Sequence, residues 1–153
     1  MMCFGAGLGG AGGGAGAIPE AASSAAAAGL AGAAGFGFGA VWYMLLAKPW
    51  MAAVGIKVGP NGKPEGDGSS LPFILSGVAM LLVAGMMRHV FALSGIDTAM
   101  EGLVSGLGIG LFFISPWIMI NNAYPGRPFR LTLIDSGYAT FGCAIIGLVL
   151  TLF

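Results

Sequence analysis

The few ionisable residues of this chain are the first candidates for chemistry. The 153 residues include 6 Lys and Arg, 6 Asp and Glu and 1 His, and the formal net charge is zero. Arg88, His89 and Glu101 lie close together in sequence, and Asp135 follows two arginines. An arginine beside a carboxylate can form a neutral pair. Joined by a His that titrates near neutral pH, it can also hold a proton or a cation.

Motifs for enzymatic chemistry are missing from the sequence. It has no His cluster, no Ser or Cys nucleophile beside a base, and no paired carboxylates at a workable spacing. Cys3 and Cys143 stand far apart, so they predict neither a disulfide framework nor a metal site. A GxGxxG match at residues 7–12 lies in a glycine-rich tract with no preceding strand, as a chance match would. We therefore expect no enzyme, no catalytic residue, no cofactor and no metal.

The composition excludes an ordinary soluble domain. Apolar residues make up 57% of the chain, charged residues only 8%, and the mean hydropathy is +0.92. Soluble domains carry about 25% charged residues. The absence of a basic excess also argues against a nucleic-acid partner. We therefore predict a membrane protein whose partner is the lipid bilayer.

The apolar stretches predict the fold class. A bilayer core requires about 20 apolar residues per helix, and residues 22–47, 72–94, 99–120 and 131–153 meet that length. Since hydrocarbon cannot satisfy exposed backbone groups, each stretch should be a helix. The prediction is an all-α membrane protein, a bundle of four transmembrane helices.

The segments outside these stretches predict two further features. Residues 1–20 form a Gly/Ala-rich leader that we expect to be disordered, before a four-helix domain at residues 21–153. The Lys-Pro-Trp sequence at residues 48–50 predicts a short interfacial helix after the first span. Trp42, Tyr43 and Trp50 are predicted interfacial anchors.

Basic residues predict the orientation in the membrane. The first and third connections, which an even number of crossings places on one side, carry Lys48, Lys57, Lys63, Arg127 and Arg130. The positive-inside rule makes that side cytoplasmic. Both termini would then lie outside.

The second and third spans form a hairpin whose tip lies near Gly95. Arg88 and Glu101 are almost equally far from that tip, so antiparallel helices would bring them to one depth. A lone charge at mid-membrane costs about 2.5–3.5 kcal/mol, and we predict that the two side chains face each other. Three interpretations are open: a pair that fixes the register, separate extension of both side chains to the interface, or a proton or cation site that includes His89.

A second set of polar residues is expected at the cytoplasmic ends of the third and fourth spans. Asp135 there is either an interfacial residue or a functional carboxylate, and Pro116 is expected to kink the third span. The predicted polar cluster consists of Asn121, Asn122, Arg127, Arg130 and Asp135.

Glycines at four-residue spacing predict close helix packing. Such a spacing places small residues on one helix face, where another backbone can approach. They serve either packing within the chain or a seam for a second copy or a partner. The glycines are Gly35, Gly39, Gly102, Gly106 and Gly110.

Two separate stretches resemble a family of small bacterial integral membrane proteins known as domain of unknown function 1761. The first comprises GFGFGAVWY at residues 35–43, KPWM at residues 48–51, and Gly55. The second comprises GRPF at residues 126–129 and IDSGY at residues 134–138. The resemblance covers residues 28–153, with both motifs in the order expected for the family.

The resemblance implies four transmembrane helices in a bacterial inner membrane and no established biochemical role. It implies that the family uses the positions of Trp42, Tyr43, Trp50, Arg127, Asp135 and Tyr138. It also implies a first span that begins close to the initiating Met. The leader departs from this pattern, as a start site assigned too early would.

Two functions follow as hypotheses. The first is a structural or accessory membrane subunit that acts through its small-residue helix faces, within a homo-oligomer or a larger membrane complex. The alternative is a small oligomeric transporter or channel that uses Arg88, Glu101 and Asp135.

Overall fold

The computed structural model describes residues 14–57, 59 and 69–153. Residues 1–13 of the predicted leader lie outside the described residues, as does Lys63, whereas residues 14–20 of the leader belong to the first helix. The helices are α1 (Gly14–Leu45), α2 (Ala47–Val54), α3 (Leu71–Ser94), α4 (Ala99–Ile109), α5 (Ser115–Ala123) and α6 (Phe129–Leu150). A π-helical turn, Gly110–Ile114, joins α4 and α5.

Helices long and apolar enough to cross a membrane number four in the described residues, as the sequence predicts. They are Glu20–Leu45, Leu71–Ser94, Ala99–Ala123 and Phe129–Leu150. The shortest has 22 residues, which at 1.5 Å each is about 33 Å, enough for a hydrocarbon core of about 30 Å. The all-helical fold class is thus confirmed.

Large apolar side chains cover the outer surfaces of α3 and of the α4–α5 rod. Phe73, Leu82 and Phe112 are 71%, 70% and 73% exposed. Soluble proteins rarely leave such side chains exposed over a continuous surface. These faces therefore fit contact with hydrocarbon.

Helix α6 is the central element. It packs most closely against α4 and next against α1, which itself packs on α3. The core between α1, α3 and α6 includes the buried side chains of Ala31, Phe91, Ile146 and Leu150. The position of α6 therefore decides where its polar residues meet the other helices.

The contact of α4 with α6 depends on glycine. A Cβ atom built at Gly102, Gly106 or Gly110 would overlap a backbone carbonyl of α6, at Gly147, Cys143 and Ala139 respectively. On α1, a Cβ at Gly35 or Gly39 would lie 2.8 Å from the side chain of Ile146 or Tyr138. All five predicted glycines thus pack inside the chain.

Pro116 follows a change of helix type, at the position where the sequence predicts a kink. Ser115 donates its backbone N–H to the Gly110 carbonyl, five residues back, and its hydroxyl donates to the same oxygen at 2.8 Å. Because Pro116 has no N–H, the Phe112 carbonyl four residues before it receives no α-helical hydrogen bond from it. The Gly110 carbonyl accepts from both the backbone and the hydroxyl of Ser115, so a π-helical turn stands directly before the proline.

Gly106→Leu should separate α4 from α6, because the carbonyl of Cys143 cannot move away as a flexible side chain would. We expect a loss of about 3 kcal/mol in the free energy of unfolding, measured by thermal or denaturant unfolding in detergent. Gly108→Leu on the same helix is the control, since a Cβ at Gly108 meets nothing within 4 Å. Equal stability of the two variants would contradict the packing described for α4.

Candidate functional site

Asp135 is the centre of a polar contact between three helices. From α6, its Oδ1 accepts hydrogen bonds from the Tyr43 hydroxyl at 3.0 Å and from the Trp50 indole N–H at 3.2 Å. Tyr43 lies in the last turn of α1, and Trp50 lies in α2. Hydrogen bonds to an ionised acceptor are stronger than those between neutral groups. The carboxylate therefore fixes α2 against α6 as well as against α1.

The break between α1 and α2 brings Trp50 to this carboxylate. Leu46 separates the two helices and accepts a backbone hydrogen bond from Trp50 at 2.9 Å. Pro49 lies in the first turn of α2, where a missing N–H costs no intrahelical hydrogen bond. Gly55 caps the C-terminal end of α2, and its φ of 81° is left-handed. The short helix predicted after the first span is therefore present.

Aromatic rings and glycines interlock between α1 and α6 beside the carboxylate. The Trp42 indole donates to the Ile134 carbonyl at 3.0 Å, and its ring covers Gly137, where a Cβ would lie 2.7 Å from the ring. In the opposite direction, the Tyr138 ring covers Gly39. Each helix thus supplies one ring and one glycine, and this arrangement sets the register of α1 on α6.

The rings around Asp135 form one contiguous group, here called the aromatic cluster. Its ring pairs have centroids 5.3–6.2 Å apart: Tyr43 with Tyr138 at 5.3 Å and Phe38 with Tyr138 at 6.2 Å are the extremes. Such separations are those of attractive ring pairs. Its members are Phe38, Trp42, Tyr43, Trp50, Tyr138 and Phe141.

A partly open cavity of about 200 Å³, here called the α6 slot, is lined along α6 from Asp135 to Ile146. Tyr43 and Tyr138 line its polar end beside the carboxylate. Its other lining residues are Met80, Val83, Ile114, Ile118, Ala139, Gly142, Cys143 and Ile146. The arrangement combines one carboxylate, two phenols and an apolar trough.

The predicted cytoplasmic polar cluster assembles only in part. Asn122 is buried and donates to the Thr132 hydroxyl at 3.3 Å, which links α5 to α6. Arg127 is exposed but its positive charge acts on Asp135. Asn121 and Arg130 are exposed, and no described residue binds their side chains. The partners of Asp135 are thus aromatic donors, with arginine only as a distant charge.

The predicted contact between Arg88 and Glu101 is wrong. Arg88 donates from Nη1 to the Leu150 carbonyl at 2.9 Å and from Nε to the Ser24 hydroxyl at 3.3 Å. Glu101 is exposed and forms a capping box with Thr98, where each side chain bonds to the other residue's backbone N–H. His89, proposed to share this site, is exposed.

Helix ends explain the separate partners of these charges. The last carbonyls of α6 have no intrahelical donor and carry the negative end of the helix dipole, which favours Arg88 at Leu150. The first N–H groups of α4 carry the positive end, which favours the Glu101 carboxylate. Each charge is therefore satisfied by backbone groups.

Sequence reasoning missed the aromatic donors to Asp135. It assigned Trp42, Tyr43 and Trp50 to the membrane interface, which stays a prediction, and assigned no partner to their polar atoms. A signal for the contact was present. The two stretches that carry the family resemblance, residues 35–51 and 126–138, contain Tyr43, Trp50 and Asp135, and these are the residues that meet.

The fold and this site define an all-helical protein with four candidate membrane spans and one shared aromatic and acidic site. The sequence profile of the family described as Protein of unknown function (DUF1761) matches residues 26–151. The chain therefore belongs to this family. No curated protein and no solved structure matches the chain significantly. The family's description assigns it no function.

Asp135→Ala should destabilise the protein, because it leaves the Tyr43 hydroxyl and the Trp50 indole without their acceptor. Hydrogen bonds to a charged group contribute about 1.5–3 kcal/mol each, so we expect a loss of about 3 kcal/mol. Thermal unfolding in detergent measures the loss, and tryptophan emission reports the altered surroundings of Trp50. Asp97→Ala, in the exposed turn between α3 and α4, is the matched control. Equal stability of the two variants would show that the carboxylate does not connect the helices.

Arg88→Met should fray the end of α6, because the Leu150 carbonyl loses a charged donor, at a cost of about 1.5–3 kcal/mol. Since Arg88 and Glu101 have separate partners, the loss should add to that of Glu101→Gln within about 0.5 kcal/mol. A double-mutant cycle on unfolding free energies measures this sum. A coupling energy above about 1 kcal/mol would instead show that Arg88 and Glu101 contact each other.

Proposed function

We propose that this protein is a multi-pass integral membrane protein that acts as a structural or accessory subunit. It binds a transmembrane helix of a partner along a groove between α1 and α3, here called the α1–α3 groove. The groove has a volume of about 220 Å³, and its lining residues are Gly29, Gly32, Ala33, Phe36, Gly77 and Leu81. This groove is the observation that carries the proposal.

No other part of the described chain fills the space over two glycines of the α1–α3 groove, unlike the space over the five predicted glycines. A Cβ atom built at Gly29 or Gly77 meets nothing within 4 Å, whereas Gly32 is already covered by Leu81. Helices in lipid associate through small residues that allow a close backbone approach. The five glycines predicted from the sequence already pack against other helices of the chain. The accessory hypothesis therefore depends on the open glycines of the groove, Gly29 and Gly77.

The distribution of charge supports an accessory role over transport. Asp135 and Leu150, the partner of Arg88, are 15 residues apart on α6, which is about 22 Å. Glu101 lies at the start of α4, exposed and bound to its own helix end. A transporter or channel that used all three groups would require them along one water-filled pathway. The separation of Asp135 from the other two favours the accessory hypothesis.

The proposed location is a bacterial inner membrane, with both termini outside the cytoplasm. The basic residues of the two longer connections, residues 48–71 and 121–130, support this orientation.

Gly29→Leu and Gly77→Leu should each weaken partner binding about tenfold or more, because a leucine side chain would occupy the space for the incoming helix. The experiment isolates the tagged chain from its native membranes in mild detergent and measures the partner recovered per chain. Thermal unfolding checks that each variant remains folded.

Gly108→Leu is the matched control for these variants, since Gly108 is equally open but lies on α4, outside the groove. It should retain the partner. If all three variants recover the same complex, or if the parent chain runs as a strict monomer without a protein partner, the accessory role is wrong.

A further inference from the structure

The α6 slot has the shape of a site for one alkyl chain. Its floor is α6, with the small residues Ala139, Gly142 and Cys143. One wall comes from α3, at Met80 and Val83, and the other from Ile114 and Ile118, on either side of Pro116. The floor extends from Asp135 to Ile146, 11 residues or about 16 Å along the helix. The space is therefore long and narrow.

The volume of the slot limits its occupant. An apolar cavity of about 150 Å³ holds one benzene molecule. The α6 slot, at about 200 Å³, can hold one short chain segment but not two chains side by side. Apart from Asp135 and the two tyrosines, the lining residues of the slot are apolar or small. An apolar chain is the occupant that this lining favours.

The polar end of the slot selects the head group. Asp135 uses Oδ1 for Tyr43 and Trp50, and no described residue donates to Oδ2. Asp135 is only partly buried, and it lines the slot. A carboxylate there repels anions and attracts cations, and the rings of Tyr43 and Tyr138 beside it also favour an ammonium group.

We propose that the α6 slot binds one alkyl chain of an amphiphile whose ammonium head group meets Asp135 while that chain lies between Val83 and Ile118. The site shares no lining residue with the α1–α3 groove, so it does not depend on the accessory role. Either a free alkylamine or one chain of an aminophospholipid carries the required chemistry.

Binding of octylamine to the purified chain in a maltoside detergent tests the proposal. Tryptophan emission is the readout, because Trp50 donates to the carboxylate that receives the amine. Octanol and octanoate have the same chain with a neutral or an anionic head group. We expect saturable binding of octylamine, about tenfold or more tighter than that of octanol, and no response to octanoate.

Two variants separate the head-group contact from the chain contact. Asp135→Asn retains an oxygen for Tyr43 and Trp50 but removes the charge, so octylamine should lose its advantage over octanol. Val83→Phe narrows the slot far from the carboxylate and should weaken both ligands. Val78→Phe is the matched control on α3, since Val78 is 51% exposed and lies outside the slot; it should bind as the parent chain does.

Equal affinity for all three ligands, or an unchanged preference for octylamine in Asp135→Asn, would overturn the ammonium assignment. Equal binding by Val83→Phe and Val78→Phe would overturn the slot as the site.

Native mass spectrometry of the chain from its membranes then identifies the source of the ligand. One retained aminophospholipid, absent from Val83→Phe, assigns a lipid, and octylamine binding without a retained lipid assigns a free amine.

Discussion

The close approach of α4 to α6 is the contact from which the rest of the bundle is built. Between helices in lipid the hydrophobic effect supplies little attraction, so association depends on dispersion contacts at short backbone distance. Gly102 and Gly147 each face the other's backbone carbonyl, an arrangement that no side chain would allow. Helix α6 also presents Gly137 to the Trp42 ring from α1. Because α6 is held on both sides, the position of Asp135 on it is fixed.

Helix ends, more than opposite charges, determine where the ionic residues of the hairpin lie. Counting residues from a turn gives the depth of Arg88 and Glu101 but not their direction around each helix axis. Backbone groups also compete as partners: the carbonyl of Leu150 and the amide of Thr98 are both unsatisfied by their own helices. In a chain with 8% charged residues, such groups outnumber the charged side chains.

The sequence predicts the helices well and the site only in parts. Composition and length suffice for the four candidate spans, and glycine spacing suffices for the packing faces. The donors to Asp135 are beyond such rules, because Tyr43 and Trp50 are 92 and 85 residues away in sequence. Their approach requires the register of α1 on α6 and the break at Leu46. Likewise, Pro116 predicts a disturbed helix but not the π-helical turn that precedes it.

The pairing of Asp135 with aromatic donors fits a carboxylate near the edge of an apolar bundle. Tyr and Trp carry a hydrogen-bond donor on a ring that itself packs in apolar surroundings, so they satisfy a charge without bringing a second one. Both donors meet Oδ1, which is sufficient to connect α1, α2 and α6. Because Asp135 also lines the α6 slot, an ammonium head group bound there would add a partner to the carboxylate without separating these three helices.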